Sequence, residues 1–252
     1  MANAHQLVGE GEHHVIALNG WFGHARGWGP MVSDIDTAAF TWAFMDQRGY
    51  GQLRNEPGPY TIDQIAQDAL ALANQLGWER FSLVGHSMGG SAIQKVLALA
   101  PQRVRALVGI TPVPASGVPF DDEGWAFFSS AADDPNTRKA IIDLTTGNRL
   151  SSTWLNAMVE SSATHNDPKA FADYLIAWAK TDFLSEVQGK TTPVLVIPGE
   201  HDPALGPQTM TQTWMTHYPN IQMKTMTNAG HYPMFETPIA LITAIERFLA
   251  QH

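Results

Sequence analysis

Phe81-Ser82-Leu83-Val84-Gly85-His86-Ser87-Met88-Gly89-Gly90 is an apolar run that ends in a serine set between glycines. Phe81 to Val84 has the continuous apolar character of a short strand buried on both faces. Gly85-His86-Ser87-Met88-Gly89 then fits the G-x-S-x-G pattern, in which a sharp strand-to-helix turn lifts the serine oxygen clear of a sheet. Such a turn is strained and its neighbours pass close, so both flanking positions exclude a Cβ atom. Ser91 to Ala100 reads as the helix that follows, stopped by Pro101. With 21 glycines and 12 serines in 252 residues, the pentapeptide is expected by chance roughly 0.08 times per chain. Its place between a strand and a helix makes it far more specific than that.

The flanking chain alternates buried strands with helices, the signature of a mostly parallel sheet in an α/β fold. Leu7 to Gly11 offers at most a short first strand. Val15 to Leu18 is a buried strand, Asn19-Gly20-Trp21-Phe22-Gly23 is the loop at its carboxyl end, and Thr41 to Met45 is the next strand. A helix runs from about Thr61 to Leu76, capped by Thr61, with an apolar face of Ile62, Ile65, Ala66, Ala69, Leu70, Leu72 and Ala73. Val104 to Ile110, Pro193 to Ile197 and Ile221 to Met226 are further strands, and a helix from about Pro238 to Leu249 closes the chain. Between Val113 and Val187 no buried strand can be found, only short helical segments. This divides the chain into a core of residues 1–112 and 188–252 and a helical cap of residues 113–187. The cap helices carry aromatic faces at i,i+3 and i,i+4 spacing, which pack on one another or border a pocket. Phe22, Trp125, Phe128, Trp154, Met158 and Trp178 are the expected pocket residues.

Composition excludes several classes. A formal net charge of −9, with no block of like charge, argues against nucleic acid or an anionic membrane as partner. The absence of cysteine removes disulfides, thiolate zinc sites and iron–sulfur clusters. Residues 1–14 have neither a basic nor an apolar leader segment, and nowhere do 18 apolar residues run together, so a cytoplasmic location is expected. No metal-binding helix motif accompanies the ten histidines, and neither a metal nor another cofactor is expected.

A serine hydroxyl becomes a useful nucleophile only when a base removes its proton. His231, in Asn228-Ala229-Gly230-His231 just after the last strand, is the candidate base. Asp202, in Pro198-Gly199-Glu200-His201-Asp202-Pro203 after the preceding strand, is the candidate group that holds the imidazole in the right tautomer, with Glu200 as the rival acid. The order Ser87, Asp202, His231 differs from those of chymotrypsin and subtilisin and matches that of α/β-hydrolases. The oxyanion that forms on a tetrahedral intermediate needs donors as well. The backbone N–H of Met88 and that of Trp21, with Phe22 second, are the expected ones.

On these motifs the chain resembles the α/β-hydrolase superfamily, in the branch of small bacterial esterases, perhydrolase-like haloperoxidases, lactonases and carbon–carbon hydrolases. The resemblance rests on Asn19-Gly20, Asp46-Gln47-Arg48-Gly49-Tyr50-Gly51, the pentapeptide around Ser87, Gly199-Glu200-His201-Asp202 and Gly230-His231. Asn19 stands where similar proteins carry histidine, and only 18 residues precede that loop, so the first hairpin of the sheet is expected to be shortened or missing. By resemblance Asp46 and Arg48 are structural, pinning their turn. The resemblance implies a serine hydrolase for a small-molecule ester or lactone with an apolar, aromatic or medium-chain group, working through an acyl-enzyme. The rival readings are a carbon–carbon bond hydrolase of meta-cleavage type and a low-turnover ligand-binding protein of the same fold.

Overall fold

A computed structural model describes residues 4–252; residues 1–3, which open both the expected core and the stretch read for a leader, lie outside the described residues. One sheet of seven strands carries the fold: β1 (His5–Val8), β2 (His13–Leu18), β3 (Phe40–Met45), β4 (Phe81–His86), β5 (Val104–Ile110), β6 (Val194–Ile197) and β7 (Ile221–Met223), in the order β1-β3-β2-β4-β5-β6-β7. All neighbours are parallel except β1, which runs antiparallel to β3. The short first strand therefore forms no hairpin with β2, the strand that follows it in the chain. Every residue of β4 and β6 is buried, as expected of strands covered on both faces, which must be apolar throughout rather than alternating.

The helices outside the β5–β6 interval are α1 (Ile62–Gln75), α2 (Met88–Leu99), α8 (Pro207–Gln212), α9 (Trp214–His217), α10 (Pro233–Glu236) and α11 (Pro238–Leu249). Thr61 caps α1, its hydroxyl accepting from Gln64 N at 3.1 Å, and the predicted apolar face is buried except for half-buried Leu70. The helix α2 begins at Met88, three residues earlier than its apolar periodicity indicates, because the elbow leads directly into it. The strand β7 stops at Met223, short of the expected Met226, yet the chain keeps its direction beside β6. Lys224 N donates to Val196 O and Met226 N to Pro198 O, both at 2.9 Å.

Between β5 and β6 lie α3 (Asp122–Ser130), α4 (Pro135–Thr145), α5 (Ser152–His165), α6 (Pro168–Lys180) and α7 (Leu184–Val187), with no strand among them. Asp121, Asp134, Ser151 and Asp167 cap the first four, each side chain accepting a backbone N–H of the first turn, which satisfies donors that a helix start leaves open. Pro135 and Pro168 occupy first helical positions, where a missing N–H costs nothing. No helix of the described residues is long and apolar enough to cross a membrane.

Candidate active site

The parallel strands β2, β4 and β6 deliver their following loops to the carboxyl edge of the sheet, the edge where open α/β sheets bind ligands. At the end of β4, Ser87 has φ +53° and ψ −117°, a conformation that costs energy in any residue with a Cβ and is held by its surroundings. Ser87 N donates to Ile110 O at 3.0 Å, and Ser87 O accepts from Gly90 N and Val113 N at 2.8 and 2.9 Å. Sterics explain the flanking glycines. A Cβ on Gly85 would lie 2.3 Å from Gly89 O, and one on Gly89 would lie 2.0 Å from Leu18 O.

His231 sits on the loop beyond β7 with Nδ1 2.6 Å from Asp202 Oδ2. The Asp202 side chain is fully buried, and its other oxygen accepts Ala204 N and Leu205 N at 2.9 and 3.0 Å. A carboxylate can only accept, so Nδ1 carries the proton and Nε2 is left as a base. Glu200 faces elsewhere: its half-exposed carboxylate accepts Asn228 N at 3.0 Å. Ser87 and His231 border one cavity, although no direct hydrogen bond joins them among the described residues.

The backbone of His231 is pinned from several sides by residues that carry no sequence signal. Its carbonyl accepts from His86 Nε2 at 2.8 Å and from Thr111 Oγ1 at 3.1 Å, and its N–H donates to Thr145 O in α4 at 3.0 Å. Burial, with the neighbouring His231 second, drives the His86 pKa down to about 3. His86 is therefore a neutral donor and not a second base. On either side of His231, Gly230 N and Tyr232 N donate to the buried carboxylate of Glu236, which also pairs with Arg149 at 2.9 Å.

The loop after β2 brings Trp21 to the same cavity. Neither Trp21 N–H nor Met88 N–H donates to a backbone group in the described residues, which leaves both free to meet an oxyanion. Trp21 is held tightly. Its carbonyl accepts from Tyr50 Oη at 2.8 Å, its indole N–H donates to Phe171 O at 2.7 Å, and its ring stacks on Phe171. Asn19 Nδ2 donates to the carbonyl of Gly20 at 3.2 Å. Asp46 clamps two loops by accepting Ala25 N and Gln52 N at 2.7 and 3.0 Å. The ion pair of Arg48 leaves the turn altogether and reaches Asp68 in α1.

The cavity has a volume of about 150 Å³ and is lined by Ser87, His231, Trp21, Phe22, Phe128 and Trp178, joined by Val113, Val118, Phe120, Ile141, Leu144, Thr145, Ala204, Leu205 and Tyr232. Trp125, Trp154 and Met158, expected at the pocket, do not line it. Trp125 lies under the ammonium of Lys180, 3.7 Å from its ring centre. Trp154 packs edge-on against Tyr232 and Phe235. Met158 is half-buried against the core. Helical periodicity marks a shared face but not the neighbour that covers it, and Ile141 and Leu144 in α4 carried the better signal as an apolar pair three apart. Among the described residues no group of three or more acidic or histidine side chains is placed to hold a metal ion.

The family model of the α/β hydrolase fold matches residues 13–238, and the chain belongs to that family. It is similar over most of its length to two curated proteins. Esterase YbfF of Escherichia coli (strain K12) is 24% identical over 243 residues, covering 93% of this chain and 92% of that protein. Pimeloyl-[acyl-carrier protein] methyl ester esterase of Serratia marcescens is 25% identical over 258 residues, covering 98% of each. The solved structure of olei00960, a hydrolase from Oleispira antarctica, superposes with a TM-score of 0.87 at 19% identity, covering 99% of this chain and 95% of that one. At the level of the family these relatives support ester hydrolysis.

Proposed function

We propose that the protein is a serine hydrolase that cleaves a carboxylic ester or lactone of an apolar substrate through an acyl-enzyme. The observation that carries this reading is Ser87, strained on its elbow, at the rim of the same cavity as an imidazole whose Nδ1 lies 2.6 Å from a buried carboxylate. Ser87 Oγ attacks the carbonyl carbon as its proton passes to His231 Nε2, and Asp202 stabilises the imidazolium. The N–H groups of Trp21 and Met88 meet the oxyanion. Collapse breaks the bond to the alkoxy oxygen, which leaves with the proton from His231. Water then gives a proton to the same nitrogen, attacks the acyl carbon and releases the acid and Ser87. The helices of residues 113–187 act as a cap that closes the apolar cavity over the serine.

The test is intact-protein mass after treatment with a fluorophosphonate, with hydrolysis of p-nitrophenyl esters from acetyl to octanoyl, for wild type and Ser87→Ala. One adduct on wild type, none on Ser87→Ala and loss of turnover are expected. Near-wild-type hydrolysis by Ser87→Ala, or no adduct on folded wild type, would overturn the proposal.

A further inference from the structure

The cavity beside Ser87, at about 150 Å³, equals the size of an apolar cavity that admits a benzene ring. Apart from His231, its lining includes no histidine, lysine, arginine, aspartate or glutamate. An acyl chain ending in a carboxylate or ammonium would bury its charge unpaired there, at a high cost.

Its polar groups divide into two sets. Thr145 Oγ1 is engaged with Ile141 O at 2.9 Å, and the Trp21 indole N–H with Phe171 O at 2.7 Å. The hydroxyl of Tyr232 has no hydrogen-bond partner among the described residues, and although the residue is only 4% exposed its oxygen is not sealed off, which leaves it open to a ligand. Trp178, on the same lining, keeps its indole N–H buried without a partner. The Tyr232 ring lies 5.2 Å from that of His231, beside the reacting centre. Burial, with the Asp202 and Glu236 carboxylates adding to it, raises the pKa of the phenol above its ordinary value. The group is a neutral donor at every working pH.

Building on the serine hydrolase reading, we infer that the substrate is an ester or lactone whose acyl part is short, uncharged and marked by an acceptor oxygen such as a ketone or ether, and that the Tyr232 hydroxyl donates to that oxygen. Tyr232 thus selects among substrates that a purely apolar cavity would treat alike, because a site built to hydrogen-bond an oxygen discriminates against the hydrocarbon isostere.

The experiment compares matched p-nitrophenyl esters, butanoate with methoxyacetate and 4-methylpentanoate with 4-oxopentanoate, in wild type and Tyr232→Phe. The isosteric replacement keeps the ring contacts, and a thermal melt checks the fold. Intrinsic reactivity differs within each pair but cancels in the ratio between the two proteins. In at least one pair the oxygenated ester should lose about fivefold more kcat/KM than its partner on removal of the hydroxyl, the scale of one neutral hydrogen bond. Equal losses within both pairs would overturn the inference, since Tyr232 would then act through His231. So would no loss in either. Fluorophosphonate labelling of both proteins separates the failures. Adducts on both with no pairwise difference defeat this inference alone, and no adduct on wild type defeats the hydrolase reading with it.

Discussion

His86, the residue before the proposed nucleophile Ser87, offers a direct test of how the proposed base His231 is held. Its Nε2–H is the shorter, at 2.8 Å, of the two hydrogen bonds to the His231 carbonyl, and Thr111 supplies the other at 3.1 Å. His86→Phe preserves a flat ring of similar size and deletes the donor; His86→Gln keeps a donor at similar reach. With Thr111 still in place the carbonyl is not orphaned, so the loss should be about 1 kcal/mol, the net worth of a neutral hydrogen bond. In a chain of this size that lowers Tm by about 2–4 °C. If the same energy is withdrawn from the transition state, turnover falls about fivefold. The fall grows toward 10²-fold if the imidazole drifts by about 1 Å. Steady-state kinetics on one ester should therefore show kcat reduced five- to hundredfold by Phe with KM little changed, and within about threefold of wild type for Gln. Wild-type kcat in His86→Phe would refute the argument, as would equal damage by both substitutions.

Two further expectations follow from the same contacts and from the buried histidines. Glu236→Ala removes a buried carboxylate that accepts Gly230 N and Tyr232 N and pairs with Arg149, and should cost about 3 kcal/mol, read from urea midpoints; a change below about 1 kcal/mol would show that the loop holds itself. Burial lowers the pKa values of His13 and His24 to about 4 and of His86 to about 3. Below pH 6.5 the unfolded chain therefore binds protons that the folded chain does not, and stability should fall as pH drops from 6.5 toward 4. Denaturation midpoints at pH 7, 6 and 5 check this. A flat profile, or one that rises toward acid, would contradict it.

What could be read from the chain follows from how far each interaction reaches. The strands β2 to β6 each carry a buried apolar stretch, such as Val15 to Leu18 and Val194 to Ile197, which marks them in the sequence. The helix α11 is bounded as its periodicity and Pro238 indicate. The edge strand β7 lacks that signal, with Gln222 and Met223 exposed, and it ends at Met223 rather than at the expected Met226. Ser87, Asp202 and His231 each sit in a short motif at a strand end, which makes them visible from local sequence. The pairing of β1 with β3, the bond from His86 to a residue 145 positions away and the brace from Glu236 have no such local imprint. The pocket aromatics were half legible, because a spacing of three or four gives a common face while tertiary packing decides what it meets. Trp178 met the cavity, whereas Trp125 met Lys180.

Thr145 in α4 holds the backbone of His231, and Phe171 in α6 holds the indole of Trp21. The helices inserted between β5 and β6 are thereby fastened to the loop that carries the imidazole and to the loop that carries the free Trp21 N–H. An insertion fastened in this way cannot be exchanged as a detachable module. A chimera that imported another member's helices would lose two anchors of the proposed Ser87–His231 site along with its pocket walls, so altered selectivity and altered rate would arrive together. Within this scaffold, selectivity is better redesigned one lining side chain at a time, leaving Thr145 and Phe171 where they are.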